Sequence, residues 1–350
     1  MKTVIKAEIV AHSINEQGDE LISVLVTLPR IILSEMNTHR MLSKNTSSSR
    51  AIPFKKMVES IQNDPFIPIA WQEDHKGMQG TKYLDPVFAK QAEQEWLIAR
   101  DYALSIAGQM NSSTHVTKQL CNRLLEPFMW TTMLITGPKS GWDNFFHLRC
   151  PQYEYITKKD IFYFKSKKDW TEKFYESKIV SNTFATIEDI NTYSWLNKNK
   201  GHAEIHMMAL AECIWDAYNE STPKVLKGGE WHIPFEDKMD ISSEEYINIT
   251  GKVILKTEDL IKIKVKSSVA MAARTSYTVV GEEKGLDYEA LIGLHDRLLA
   301  QDPPHSSPME HACQAVTDEE YNNSFKGQEK GWFRNYKGFK SYRQVIEESK

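Results

Sequence analysis

The sequence holds four cysteines in 350 residues, Cys121, Cys150, Cys213 and Cys313, and no two of them form a CxxC pair. That spacing excludes a disulfide framework and a zinc ribbon and fits reduced, buried thiols. No apolar run approaches the roughly 18 residues that a membrane span requires. The opening stretch MKTVIKAEIVAHSI alternates like a strand and has no apolar signal core, so a cytoplasmic protein is expected. There is no GxxxxGKS/T and no GxGxxG, which leaves a P-loop or Rossmann reading without support. Excess basic charge is missing as well: 43 Lys and Arg face 47 Asp and Glu, a formal charge of −4. That balance argues against a chain that coats duplex nucleic acid, but it is compatible with a small anion in a local basic pocket. No tandem repeat is present.

What is there is ordinary globular material, with 41% hydrophobic and 26% charged residues, enough to bury a sizeable core. Residues 2–33 read as two strands joined by NEQGDE, where Gly18 suits a turn. The stretch SEMNTHRMLSKNTSSSRAIP is dense in hydroxyl residues, which resist a core helix and suit a donor-presenting loop. From 87 to 136 apolar residues recur at three- and four-residue spacing, predicting two helices, the second broken or kinked at Pro127. Residues 151–200 lack periodicity and read as an insertion. A helix over HAEIHMMALAECIWDAYNES follows, and 267–300 reads as helix, turn, helix. After 317 comes a charged, Gly-rich tail with scattered aromatics.

The densest chemistry lies at Thr38-His39-Arg40-Met41-Leu42-Ser43-Lys44-Asn45-Thr46-Ser47-Ser48-Ser49-Arg50. Guanidinium forks and hydroxyl donors match several phosphate oxygens at once, so an anion site is one reading. A solvated loop is the other.

A resemblance separates the two. This stretch resembles the signature loop of flavin-dependent thymidylate synthases, RHRxxSxNExSxR, in His39, Arg40, Ser43, Asn45, Ser48 and Arg50. KQLCNRLLEPFMWTTMLITGPKSGWDNFFHLRC resembles that family's helix with a phosphate-binding arginine, matched by Arg123, and its NFLxLR segment, matched by Asn144 and Arg149. SSVAMAARTSYTVVGEEKGLDYEALIGLHDRLLAQDPPHSSPMEHACQAV resembles the family's AARvSy segment, a helix and its HxSPxEH motif. In the family these precede the RHR loop; here they follow it, so the segment order reads as permuted. Three positions depart from the pattern: Thr38 replaces the first Arg of RHR, Thr46 the Glu of NExS, and Glu35 a Gln ahead of the loop.

The resemblance implies an α/β (α+β) fold with a twisted, mainly antiparallel sheet flanked by helices. Residues 1–150 and 201–316 would form one catalytic domain, with 151–200 inserted and 317–350 as a tail. It implies FAD, with NADPH and methylenetetrahydrofolate as co-substrates, reductive methylation of dUMP to dTMP, and a homotetramer. On the substrate side it points to Glu35, Thr46, Ser47, Ser48, Ser49, Arg50, Arg123 and Arg149, with Arg149 and Ser48 as the catalytic pair. Arg149 would favour loss of the uracil N3 proton. For the flavin it points to His39, Arg40, Asn45, Lys139, Asn144, Ser276, His305 and Ser307.

Other features pull elsewhere. Cys150, next to Arg149, offers a thiol nucleophile, although a Cys in apolar sequence reads as buried packing. His202 and His206 share a helical face but lack a third ligand, so no metal is expected. KKDIFYFKSKKDW interleaves bases and aromatics as single-strand binders do, yet an exposed insertion face is the favoured reading; nucleic acid is not the expected partner. Two rival functions are a methylase or hydroxymethylase of dCMP or dUMP, motivated by Glu35, and a non-catalytic nucleotide or flavin binder, motivated by Thr38 and Thr46.

Overall fold

The computed structural model describes residues 2–76, 80, 82–176, 192–280, 285–324 and 329–349. Strands β1 (Lys6–Asn15) and β2 (Glu20–Pro29) form the expected antiparallel hairpin. Gly18 turns it at φ +83°, a conformation that a side chain would strain. Strand β3 (Ser43–Thr46) falls inside the hydroxyl-rich stretch, after a short helix at Leu33–Asn37. Strand β4 (Trp130–Pro138) pairs antiparallel with β2 from Leu21↔Pro138 to Pro29↔Trp130, and on its other edge with β3. With Lys224–Leu226 parallel to β1, the five-stranded order is β3-β4-β2-β1 followed by that short strand.

Alternation along the strands decides what each face buries. Ile22, Val24, Val26 and Leu28 of β2, with Met133 and Ile135 of β4, face helices Lys139–Arg149 and Ile205–Glu220 through Trp142, Phe145, Phe146, Leu210 and Ile214. Val10 and Leu134 face the opposite way. They meet Tyr246, Ile263, Ala270 and Leu291 from helices Ser243–Thr250, Thr257–Arg274 and Tyr288–Leu299. Each such side chain contributes about 1.5–3 kcal/mol when fully buried. The result is a mainly antiparallel sheet with helices on both faces, the fold class that was expected.

One helix prediction is corrected. The first helix stands at Pro86–Ser112, started by Asp85, whose side chain accepts from the Val87 and Phe88 amides. The second does not form. Lys118–Cys121 is a single turn, Asn122–Phe128 is a 3-10 helix containing Pro127, and the remainder is strand β4. Proline removes a donor, and the β-branched residues of WTTMLIT pack better on a sheet than on a helix. In the 267–300 region the first helix starts earlier than expected, at Thr257.

The 151–200 stretch builds a hairpin, Tyr153–Ile156 with Ile161–Phe164, and helices Lys167–Glu176 and Thr192–Lys198. Tyr153, Tyr155, Trp170 and Trp195 form its own aromatic cluster; residues 177–191 lie outside the described residues. Beyond 317, Phe339–Ser341 pairs with Cys313–Ala315, and Tyr336 and Phe339 are buried against Leu21 and Leu226. That segment therefore folds back onto the domain.

Candidate functional site

Strand β3 is the axis of the site. Four residues span ~13 Å, and the predicted residues fall into three groups at its two ends and its middle.

At the Ser43 end, His39 is buried with its ring edge-on to Phe145, centroids 4.9 Å apart. Arg149, the last residue of helix Lys139–Arg149, donates from Nε to His39 Nε2 over 3.0 Å and from Nη2 to Thr38 Oγ1 over 3.4 Å. A cation at a helix C-terminus is favoured by the helix dipole. Burial, then Arg149, then Lys44 bring the His39 imidazole down to about 4, so the ring is neutral and accepts. Lys44 Nζ donates to the carbonyls of Leu42, at 2.8 Å, and His39. Burial lowers that amine to about 8. Thr38 donates its hydroxyl to the Glu35 carbonyl at 2.7 Å. The Glu35 carboxylate accepts from Ser34 Oγ at 3.1 Å.

In the middle, buried Asn45 ties together segments far apart in sequence. Its Nδ2 is shared among the Ala272 carbonyl, Thr275 Oγ1 at 3.2 Å and Ser276 Oγ at 3.4 Å. Its Oδ1 accepts from Ser307 Oγ at 2.9 Å. The Ser48 amide donates to the Ser276 carbonyl at 2.8 Å. Thr46 ends the strand opposite Met133. His305 lies next to this junction in sequence, exposed, with its amide bonded to the Leu298 carbonyl at 3.1 Å.

At the Thr46 end, Ser47 donates its amide to Thr132 O at 2.9 Å and shares a 3.1 Å hydroxyl contact with Thr131. Ser49 Oγ donates to Glu126 Oε1 at 2.5 Å. Asn122 Nδ2 donates to the carbonyls of Ser49, at 2.7 Å, and Ile52, at 2.9 Å. Arg30 donates to Ser47 O at 2.8 Å and to Glu126 Oε1 at 3.3 Å. Arg50 and Arg123 are exposed, and among the described residues neither guanidinium has a hydrogen bond or ion pair. A cleft of ≈ 460 Å³ opens here, with Arg30, Ser34, Asn37, Arg123 and Glu126 in its wall.

The chain thus brings Arg50 and Arg123 to one end of β3 and Arg149 to the other. Sequence reasoning missed Arg30, Asn122 and Glu126. Asn122 and Glu126 flank Arg123 within four residues, a weak local signal, and Arg30 gives none. The remaining candidates sit near the helix Lys139–Arg149. Lys139 is paired with Asp143 at 2.9 Å, while Asn144 is exposed and, like Arg40, has no hydrogen bond among the described residues.

Two competing readings lose ground on geometry. Cys150 is buried with its thiol aimed at the Ala211 carbonyl, 3.7 Å away, and burial pushes its acidity far below that of a free thiol. His206 spends both ring nitrogens, one against Glu204 at 2.5 Å and one on the Ile69 amide at 3.1 Å. No group of three metal-ligating side chains exists among the described residues. No helix among them is long and apolar enough to cross a membrane.

No protein-family model matches the chain, and no curated protein matches it. Among solved structures the chain is similar to PolB, a UMP/dUMP methylase from Streptomyces cacaoi bound with 5-Br dUMP. The TM-score is 0.40 and the identity 11%, over 63% of this chain and 92% of that one. It is also similar to thymidylate synthase X (ThyX) from Helicobacter pylori with FAD and dUMP. There the TM-score is 0.25 and the identity 14%, over 51% of this chain and 74% of that one.

Proposed function

We propose that the chain is an FAD-dependent thymidylate synthase of divergent, permuted type, methylating dUMP with methylenetetrahydrofolate and reduced nicotinamide. The observation that carries this reading is the junction at Asn45. Two stretches that resemble the family separately, at 38–50 and 267–316, meet through the Asn45 side chain and the Ser48–Ser276 backbone bond. A chance motif in a solvated loop gives no reason for a second motif some 230 residues away to dock on it.

Of the residues assigned to the flavin by resemblance, Arg40 and Asn144 are the ones this reading leaves to hold it. Arg40 and Asn144 present side chains without partners among the described residues, as polar contacts to a pyrophosphate and ring carbonyls require. Bound FAD supplies hydride transfer between the nicotinamide and the one-carbon unit. The chain supplies the rest. Arg50 and Arg123 bind phosphate. Arg149 stabilises negative charge on the uracil ring as N3 gives its proton to solvent water, which makes C5 nucleophilic without covalent attack. His39, neutral, orients Arg149 by accepting its Nε–H. Cys150 takes no part.

Glu35 supports a second reading on the same scaffold, a methylase or hydroxymethylase accepting dCMP, because a carboxylate accepts from the cytosine amino group where an amide would read uracil differently. Incubation with FAD, NADPH, methylenetetrahydrofolate and either nucleotide, followed by product mass, decides between them. A mass gain of one methyl on dUMP alone supports the first reading, and a product from dCMP the second. No flavin spectrum and no product from either leaves a nucleotide or flavin binder without catalysis.

A further inference from the structure

The geometry points to the Arg30–Glu126 pair as a clamp that positions the phosphate end of the nucleotide site. Glu126 Oε1 accepts from two donors at once, Ser49 Oγ at 2.5 Å and Arg30 Nη2 at 3.3 Å. The other arm of Arg30 holds the Ser47 carbonyl at 2.8 Å. The side chains of Arg30 and Glu126 are 16% and 24% exposed, so both bonds form largely out of water, where they are stronger than on a surface. The chain Ser47–Arg30–Glu126–Ser49 closes a ring under the loop.

This ring changes what the loop offers to an anion. The Ser49 hydroxyl is already donating to Glu126. The groups left over are the backbone N–H groups of Ser49 and Arg50, which have no acceptor among the described residues, and the guanidiniums of Arg50 and Arg123. The two amides and the two guanidiniums lie at the same end of β3, and they are the donors this end has left to offer an anion. Glu126 does not touch the anion; by fixing Ser49 it holds the loop segment that carries the two amides, and Arg30 offsets the carboxylate's charge. The clamp's ligand chemistry is a phosphate monoester, and its identification with a pyrimidine nucleotide rests on the function proposed above.

Calorimetry on the full chain with dUMP, dCMP, deoxyuridine and inorganic phosphate tests the clamp. Glu126→Ala should weaken dUMP binding at least tenfold and leave deoxyuridine within twofold. Glu126→Gln, which keeps an acceptor for Ser49, should stay within threefold of the unaltered chain for both. Should Glu126→Ala not fold, Ser49→Ala cuts the same tie from the other side and carries the same expectation. Equal losses for nucleotide and nucleoside, no loss in either variant, or a Gln variant as weak as the Ala variant would overturn the clamp. If the unaltered chain binds inorganic phosphate but neither nucleotide, and Glu126→Ala loses that phosphate, the clamp stands and the pyrimidine reading falls. If the unaltered chain binds dUMP and neither variant differs from it, the reading stands and the clamp falls. Binding of none of the four removes both.

Discussion

Arg149 Nε donates to His39 Nε2 across 3.0 Å, joining the end of one helix to a loop 110 residues earlier in the chain. A guanidinium held by a neutral imidazole keeps its full charge, whereas a carboxylate partner would quench it. That is the arrangement required of a group meant to stabilise a developing anion.

Removal of this guanidinium should therefore cost chemistry more than folding. Arg149 is only half-buried and its two bonds are to neutral acceptors. Arg149→Ala should reduce release of tritium from C5-labelled dUMP by about 10²–10³-fold while the thermal midpoint stays within a few degrees. Retained turnover would remove Arg149 from the mechanism.

The imidazole of His39 is held below its usual range, at about 4, first by burial and then by the nearby cations Arg149 and Lys44. A folded value below the unfolded one means that the unfolded chain binds the proton more tightly. The stabilisation is complete above about pH 6.5 and drains away as the pH falls toward 4. Between pH 7 and 5 His39 should account for about 2 kcal/mol of lost stability. His232 and His311, each lowered to about 3 by burial, act in the same sense. Urea midpoints at the two pH values should converge in His39→Asn relative to the unaltered chain; an unchanged difference would show the ring to be titrating normally.

Asn45 stands between three acceptors and a donor in a buried position. Asn45→Ala leaves Ser307 and Thr275 without a shared partner and should destabilise the chain by about 2–3 kcal/mol, measured by urea unfolding. It should also loosen 267–316 from the loop, raising hydrogen exchange at the Ser48 amide. Protection equal to that of the unaltered chain would mean that the junction does not depend on this side chain.

Substrate choice is predicted to turn on Glu35. Glu35→Gln should raise the ratio of dUMP to dCMP turnover by roughly tenfold, the scale of one hydrogen bond gained or lost at a base edge. An unchanged ratio would place Glu35 away from the base.

Cys150→Ala should keep turnover within about twofold, because the thiol is buried and its ionisation is strongly opposed. Loss of activity with retained folding would reinstate a thiol nucleophile.

Particular elements were legible in the sequence for physical reasons. The first hairpin could be read because alternation and a turn glycine are local signals. The helix Pro86–Ser112 could be read from its three- and four-residue apolar spacing. β4 could not, since WTTMLIT has too few residues to distinguish a three-residue from a two-residue period, and its identity as an interior strand of the sheet comes from pairing with β2 and β3. His39 and Arg149 were candidates by resemblance, but their bond to each other was invisible. So was the clamp: Arg30 sits just past the end of β2 and Glu126 beside Pro127, 96 positions apart in the chain.

The amino-acid sequence by itself determined the chemistry available, which donors, guanidiniums and hydroxyls exist, and it marked the first hairpin and the long helix, whose signals depend on neighbours a few residues apart. Only the tertiary structure decided how they are apportioned along β3, with Arg149 at one end, Arg50 and Arg123 at the other, and Asn45 joining both to 267–316. Contacts between residues a hundred or more positions apart are set by how sheet and helices bury their apolar faces, and no local pattern encodes the outcome of that packing.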